Sequence, residues 1–121
     1  MVLVDTSVWV DYFRNGNDRL VTILENSEVF CHDFIVGELA CGNLKNRFEI
    51  LSSLQSLPKT QSASHAEILQ FIENHNLMGR GLGYIDISLL ASSVLSNIPL
   101  WTLDKRLRET ANRLDNGYPQ N

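Results

Sequence analysis

Several things are scarce or missing in this chain of 121 residues, and each absence removes a class of protein. It contains no repeats and no low-complexity tract. No apolar run approaches the ~20 residues that span a bilayer. Cysteine occurs only at Cys31 and Cys41. That spacing gives neither a CxxC motif nor a disulfide framework, so both read as free core thiols. His32, His65 and His75 lack HExxH or His/Cys spacing and read as surface or helix residues, leaving zinc chemistry without ligands. No basic leader precedes Asp5, and that acid interrupts any signal-like apolar core after Val4. The expectation is one cytoplasmic domain over residues 1–121, with no membrane attachment and with residues 115–121 as a frayed tail.

Positive charge is also in short supply. Ten Lys and Arg face fourteen Asp and Glu, for a net charge of −4. That balance argues against non-specific nucleic-acid binding, which wants a basic surface. The objection weakens if some acids form a site: without four of them the remainder is 14 − 4 = 10 acids against 10 bases.

What is present alternates between short apolar runs and amphipathic stretches. Val2–Val4 reads as a wholly apolar strand, the kind buried in the middle of a parallel sheet. Helices are expected over Thr6–Arg14, Asp18–Asn26, from Asp33 as cap through Ala40, Asn46–Leu57, Ser64–His75 and Ile85–Asn97, with a last one starting at Asp104. Glu28–Cys31 and Pro99–Thr102 read as further strands, with a shorter one near Lys59–Gln61. Trp9, Tyr12 and Phe13 suit core positions better than a partner surface. Strands alternating with helices imply an α/β fold around a parallel sheet.

Four acids then share one kind of address. Asp5 and Asp104 each follow a strand and precede a helix. Ligands bind in the crevice at the carboxyl ends of parallel strands. Asp86 opens an apolar helix in "GYIDISLLASSVL". Glu38 interrupts the apolar stretch "FIVGELAC" within a helix expected to face the core. Capping explains an Asp at a helix start at ~1 kcal/mol, but it cannot explain Glu38. A buried carboxylate costs several kcal/mol unless paired or metal-bound. Carboxylates converging on one crevice call for a counter-ion, and all-oxygen ligation selects magnesium or manganese over zinc. Such a site performs phosphoryl chemistry. Arg80, Lys105, Arg106 and Arg108 lie beside these acids in sequence and could hold a polyanion locally. A solvated helix face, with Asp104 and Arg108 paired at i,i+4, is the competing explanation.

The segments "VLVDTSVWVDYFR", "VGELACG", "GLGYIDISLLASSVL" and "PLWTLDKRL", in this order and at these intervals, resemble a PIN-domain ribonuclease, and more narrowly a VapC toxin of a bacterial VapBC toxin–antitoxin pair. The resemblance covers nearly the whole chain. It implies a PIN-like three-layer α/β fold, with a short central parallel sheet flanked by helices. It also implies that Asp5, Glu38, Asp86 and Asp104 gather around one or two Mg2+ or Mn2+ ions, with the hydroxyls of Thr6 and Thr102 steadying the carboxylates. Cleavage of structured RNA such as transfer or ribosomal RNA, a homodimeric assembly and silencing by a VapB antitoxin follow from the same resemblance. Many relatives carry another acid just after the fourth Asp, whereas Lys105, Arg106 and Leu107 follow Asp104 here, which leaves the metal count open. A phospho-accepting receiver would need adjacent acids after the first strand, and a haloacid-dehalogenase phosphatase an acid at Ser7. "GRGLG" does not have the dinucleotide-binding spacing. A catalytically idle PIN fold serving as an interaction module is the remaining alternative.

Overall fold

A computed structural model describes residues 1–119. Val2, Leu3 and Val4 form strand β1 and are each fully buried. Such a strand has no solvent-facing side, so it must lie centrally with neighbours on both edges. It does. β2 (Val29–Phe30) and β3 (Leu100–Trp101) flank it in the order β2-β1-β3, both parallel to it. Val2 pairs with Val29, and Leu3 with both Phe30 and Leu100. Parallel neighbours require crossovers, and helices supply them. α1 (Thr6–Asn15) and α2 (Asp18–Glu25) lead to β2. Then follow α3 (Asp33–Ala40), α4 (Arg47–Ser56), α5 (His65–His75) and α6 (Tyr84–Leu95) before β3. α7 (Lys105–Arg113) closes the order. The expected α/β sheet with flanking helices is therefore the observed one.

The helix starts follow local chemistry. Ser64 accepts from Glu67 N–H while Glu67 accepts from Ser64 N–H, a complete capping box for α5. Asn46 precedes α4 in the left-handed region at φ 52°, which its short polar side chain tolerates. α6 is buried along most of its length, from Ile87 to Ser93, which explains why its sequence is apolar on every side.

Four expectations need correction. Asp33 is the first residue of α3, and the cap is His32, whose Nδ1 accepts from Phe34 N–H at 3.0 Å. His32 is a buried residue rather than a surface one, with Nε2 placed 3.2 Å from Ser92 Oγ. Because Nδ1 accepts, the ring proton belongs on Nε2, and burial lowers the imidazole pKa. Cys31 is buried, and burial raises its thiol pKa, but Cys41 is exposed at the end of α3. A core reading fails there because Cys41 comes two residues after the buried Leu39, about 200° around the helix, and so faces away from the core. The segment near Lys59–Gln61 contributes only a single parallel bridge, Cys31 with Lys59.

The chain end also differs from a frayed tail. Leu100 N–H donates to Asn116 O at 2.9 Å, and Tyr118 N–H donates to Leu100 O at 3.0 Å. Asn116 Nδ2 reaches Ser93 Oγ at 2.6 Å and Ile98 O at 3.3 Å. Tyr118 packs its ring on Trp101, and the Arg19 guanidinium lies over Tyr118 at 4.8 Å. The polar composition of 115–118 hid this docking, because backbone pairing leaves no apolar signature. Residues 120–121, also assigned to the tail, lie outside the described residues. Asn116→Ala should cost about 1–2 kcal/mol by leaving Ile98 O and Ser93 Oγ without their donor. A thermal melt checks this: the midpoint should fall by several degrees, whereas a frayed tail would leave it unchanged.

Candidate metal centre at the strand ends

Asp5 directly follows β1 and is almost fully buried, at 5% exposure. It caps α1, and its Oδ2 accepts from Ser7 N–H at 3.3 Å. The same oxygen accepts from Ser7 Oγ at 2.7 Å and from Thr102 Oγ1 at 2.8 Å. Ser7 Oγ in turn accepts from Leu103 N–H at 2.9 Å and stands 3.2 Å from Thr102 Oγ1. The expected steadying role of Thr102 thus has a direct geometric counterpart. Ser7 is the residue that sequence reasoning missed. Its signal was the spacing itself, since a Ser two residues after an N-cap Asp can fold back onto that carboxylate.

Asp104 caps α7 through a 3.0 Å bond from Leu107 N–H, and Thr102 Oγ1 accepts from its own N–H at 3.0 Å. Asp86 sits two residues inside α6, not at the cap, which is Gly83. There the backbone of Gly83 favours its charged form, against the other influences on it. Capping and clustering are therefore not alternatives here. The helix N-termini that the acids cap lie beside the strand ends, and three carboxylates enjoy three positive helix ends.

Glu38 corrects an expectation. It lies mid-helix in α3 as read from the sequence, but it is exposed rather than buried. Its Oε1 accepts from Thr6 Oγ1 at 2.8 Å. The neighbouring Leu39 faces the core, and Glu38 turns instead into an open groove of about 430 Å³ lined also by Thr6, Phe13 and Lys45. A continuous apolar context in sequence does not fix which way one residue of a helix points.

The four acids share one electrostatic field. Asp86's pKa is raised, first by partial burial and then by the negative charges of Asp5, Asp104 and Glu38, with the Gly83 bond opposing. Among the described residues, no three or more acidic, imidazole or thiol side chains stand together as a group able to hold a metal ion. The donor set fits a hard divalent cation in kind, being carboxylate oxygen throughout. Two of the four, Asp5 and Glu38, have an oxygen engaged by hydroxyls.

The basic residues divide. Arg80 and Arg106 line one small pocket beyond Asp104. Lys105 is exposed at the start of α7, and Arg108 lies one turn on from Asp104.

The PIN domain family profile matches residues 2–113. The chain belongs to the PIN domain family. It is 41% identical over 109 residues to Ribonuclease VapC32 of Mycobacterium tuberculosis, in strains H37Rv and CDC 1551, covering 89% of this chain and 88% of that protein. This PIN domain is thus VapC-like in sequence. Among solved structures, FitAcB from Neisseria gonorrhoeae superposes with a TM-score of 0.65 at 20% identity, over 93% of this chain and 94% of that one. PAE2754 from Pyrobaculum aerophilum superposes with a TM-score of 0.61 at 17% identity, over 90% of this chain and 78% of that one. At such identities these two likenesses establish the fold alone.

A raised carboxyl pKa has a defined effect on stability. Below the unfolded value near 3.8 Asp86 is protonated in both states, and as pH rises through the folded value its charging costs stability. Asp86→Asn should therefore raise the melting midpoint at pH 7 in metal-free buffer, with the gain shrinking as pH falls through the folded value and absent below about 4. Melts across pH check the sign. An equal or lower midpoint for the variant at pH 7 would mean that the charges around Asp86 do not repel it.

Proposed function

We propose that this PIN domain is a Mg2+- or Mn2+-dependent endoribonuclease, the toxin of a type II toxin–antitoxin module, with Asp5, Glu38, Asp86 and Asp104 holding one or two ions. The observation that carries the reading is the company Asp86 keeps: its carboxyl pKa is raised first by burial and then by the negative charges of Asp5, Asp104 and Glu38. Four like charges sharing a crevice gain from a cation far more than isolated caps would. A divalent ion at such a site supplies charge neutralisation and acidifies water beside a phosphodiester. The protein's own part is positional. Ser7 and Thr102 fix the Asp5 carboxylate, Thr6 fixes Glu38, and the Leu107 N–H fixes Asp104. Arg80, Lys105, Arg106 and Arg108 are assigned to the RNA backbone. The 41% identity to a protein named Ribonuclease VapC32 supports RNA as substrate, with structured RNAs such as transfer or ribosomal RNA as the expected targets.

A VapB-type antitoxin is the proposed partner, and its seat has a geometric candidate. A groove of about 400 Å³ lined by Trp9, Tyr12, Phe13, Leu24, Ile50 and Leu54 is largely apolar. It shares Phe13, Asn46 and Ile50 with the groove that reaches Thr6 and Glu38. A peptide could pack an apolar face in the first and run a basic end into the second. The homodimer and the cytoplasmic location belong to the same proposal, and no helix among the described residues is long and apolar enough to cross a membrane.

The deciding assay incubates antitoxin-free protein with total cellular RNA and Mg2+ or Mn2+. Discrete fragments are expected, and they should vanish with chelator and with Asp86→Asn. Intact RNA together with no Mn2+-induced rise in melting midpoint would favour an idle PIN module; a competent site at 100-fold excess over Kd should add about 2.7 kcal/mol. Ser7→Ala should leave the fold intact but weaken the metal response roughly 10- to 100-fold, since Asp5 loses the Ser7 hydroxyl directly and Thr102 and Leu103 lose the group that anchors them. Mn2+ titration followed by melting reads this without requiring turnover.

A further inference from the structure

Arg80, Arg106 and Arg113 come together in a pocket of about 160 Å³ completed by Glu109 and Thr110. Arg80 arrives from the turn after α5. Arg106 and Arg113 lie seven residues apart on α7, two turns along one face of the helix. Two of the guanidiniums are tied to backbone. Arg80 Nε donates to Asn76 O at 2.7 Å, and Arg113 Nη2 donates to His75 O at 3.1 Å. Both acceptors lie at the C-terminal end of α5, where a helix favours positive charge. A guanidinium carries five N–H donors in a rigid fork, so one such bond orients the group while leaving donors to aim elsewhere.

Arg106 is placed by a different device. Gly81 stands at φ 77°, and a Cβ there would collide with Nη1 of Arg106. The missing side chain lets the guanidinium lie against the backbone between Arg80 and Asp86. Thr110 is turned away from the pocket's chemistry, its hydroxyl donating to Arg106 O at 2.9 Å. Glu109 offsets one of the three positive charges, leaving a surplus of two. An apolar ligand finds nothing to bury against here. A phosphate does, because paired guanidinium forks match its geometry.

Two of the pocket's arginines are joined to site acids by short stretches of chain. The turn bearing Arg80 and Gly81 runs directly into α6 and Asp86, and Arg106 follows Asp104 by two residues. We propose that Arg80, Arg106 and Arg113 form a phosphate subsite for the RNA strand, holding a backbone phosphodiester beside the carboxylates and not at them. This rests on the ribonuclease reading for the identity of the polyanion. Arg113 becomes a binding residue that its position in the sequence, well past the last acid of the site, gave no reason to single out.

The test measures RNA binding separately from cleavage. A fluorescein-labelled 20-nucleotide single-stranded RNA is titrated with Asp86→Asn protein in chelator, across a range of salt concentrations. Adding Arg80→Gln and Arg113→Gln together should weaken binding roughly tenfold or more. The slope of log K against log salt should fall by about 0.7 for each phosphate no longer neutralised. Lys59→Gln, a charge change elsewhere, should alter neither quantity. Arg113→Lys keeps a donor for His75 O but removes the fork, and should give an intermediate weakening; it also answers the question if the glutamine variants melt early. Unchanged affinity and slope in the arginine variants, or an equal weakening with Lys59→Gln, would overturn the subsite. In the active background, the arginine variants should raise KM with kcat little changed. Cleavage with an unaltered KM would sink the subsite and leave the ribonuclease reading standing. Arginine-dependent RNA binding without any metal-dependent cleavage would do the reverse.

Discussion

One oxygen organises the end of the sheet. Asp5 Oδ2 accepts from the hydroxyls of Ser7 and Thr102 and from the Ser7 amide, and Ser7 Oγ also takes the Leu103 amide. Those bonds tie the end of β1 to the start of α1 and to the segment between β3 and α7. The carboxylate is almost fully buried, so each bond replaces water that the group gave up on folding. Through these bonds the start of α1 is held against the segment that leads to Asp104. Asp5 therefore has a structural duty, capping and knotting, that coexists with any duty toward a cation.

The helices make the accumulation of acids tolerable. Asp5 and Asp104 cap α1 and α7, and Asp86 sits in the first turn of α6. Each carboxylate has a positive helix end, and Asp5 and Asp104 also accept a backbone N–H, interactions worth a fraction to about 1 kcal/mol apiece. These helix ends do not offset everything that disfavours charge on Asp86, whose pKa is raised by burial first and then by Asp5, Asp104 and Glu38.

The strands and the helices were readable, and the four acids stood out as candidates, because each leaves a local mark: an apolar triplet, an i,i+4 stripe, or an acid where an apolar residue would fit. What escaped was relational. Ser7 looks like any helix-start hydroxyl until Thr102, 95 residues away, is brought to 3.2 Å. His32 carries no metal spacing, yet it is buried because α6 delivers Ser92 to its Nε2. Glu38 reads as buried because its neighbours are apolar, but Leu39 takes the core side of α3 and leaves Glu38 outward. Residues 115–118 read as a tail because backbone pairing with Leu100 has no signature in side-chain polarity. In each case the missing information was which distant segment arrives, and that is a property of the packed chain.

The two rims of the sheet carry a consequence for assembly. β3 is covered on its outer side by Asn116–Tyr118, bonded to both backbone groups of Leu100, and β2 is continued outward by Pro58–Thr60, bonded to both backbone groups of Cys31. Neither short strand offers a run of open donors and acceptors onto which a foreign strand could zip, the usual route to strand addition and to edge-to-edge aggregation. With these rims occupied, a partner meets the grooves, turns and helix ends around the sheet, where it can dock and leave without remaking the strands.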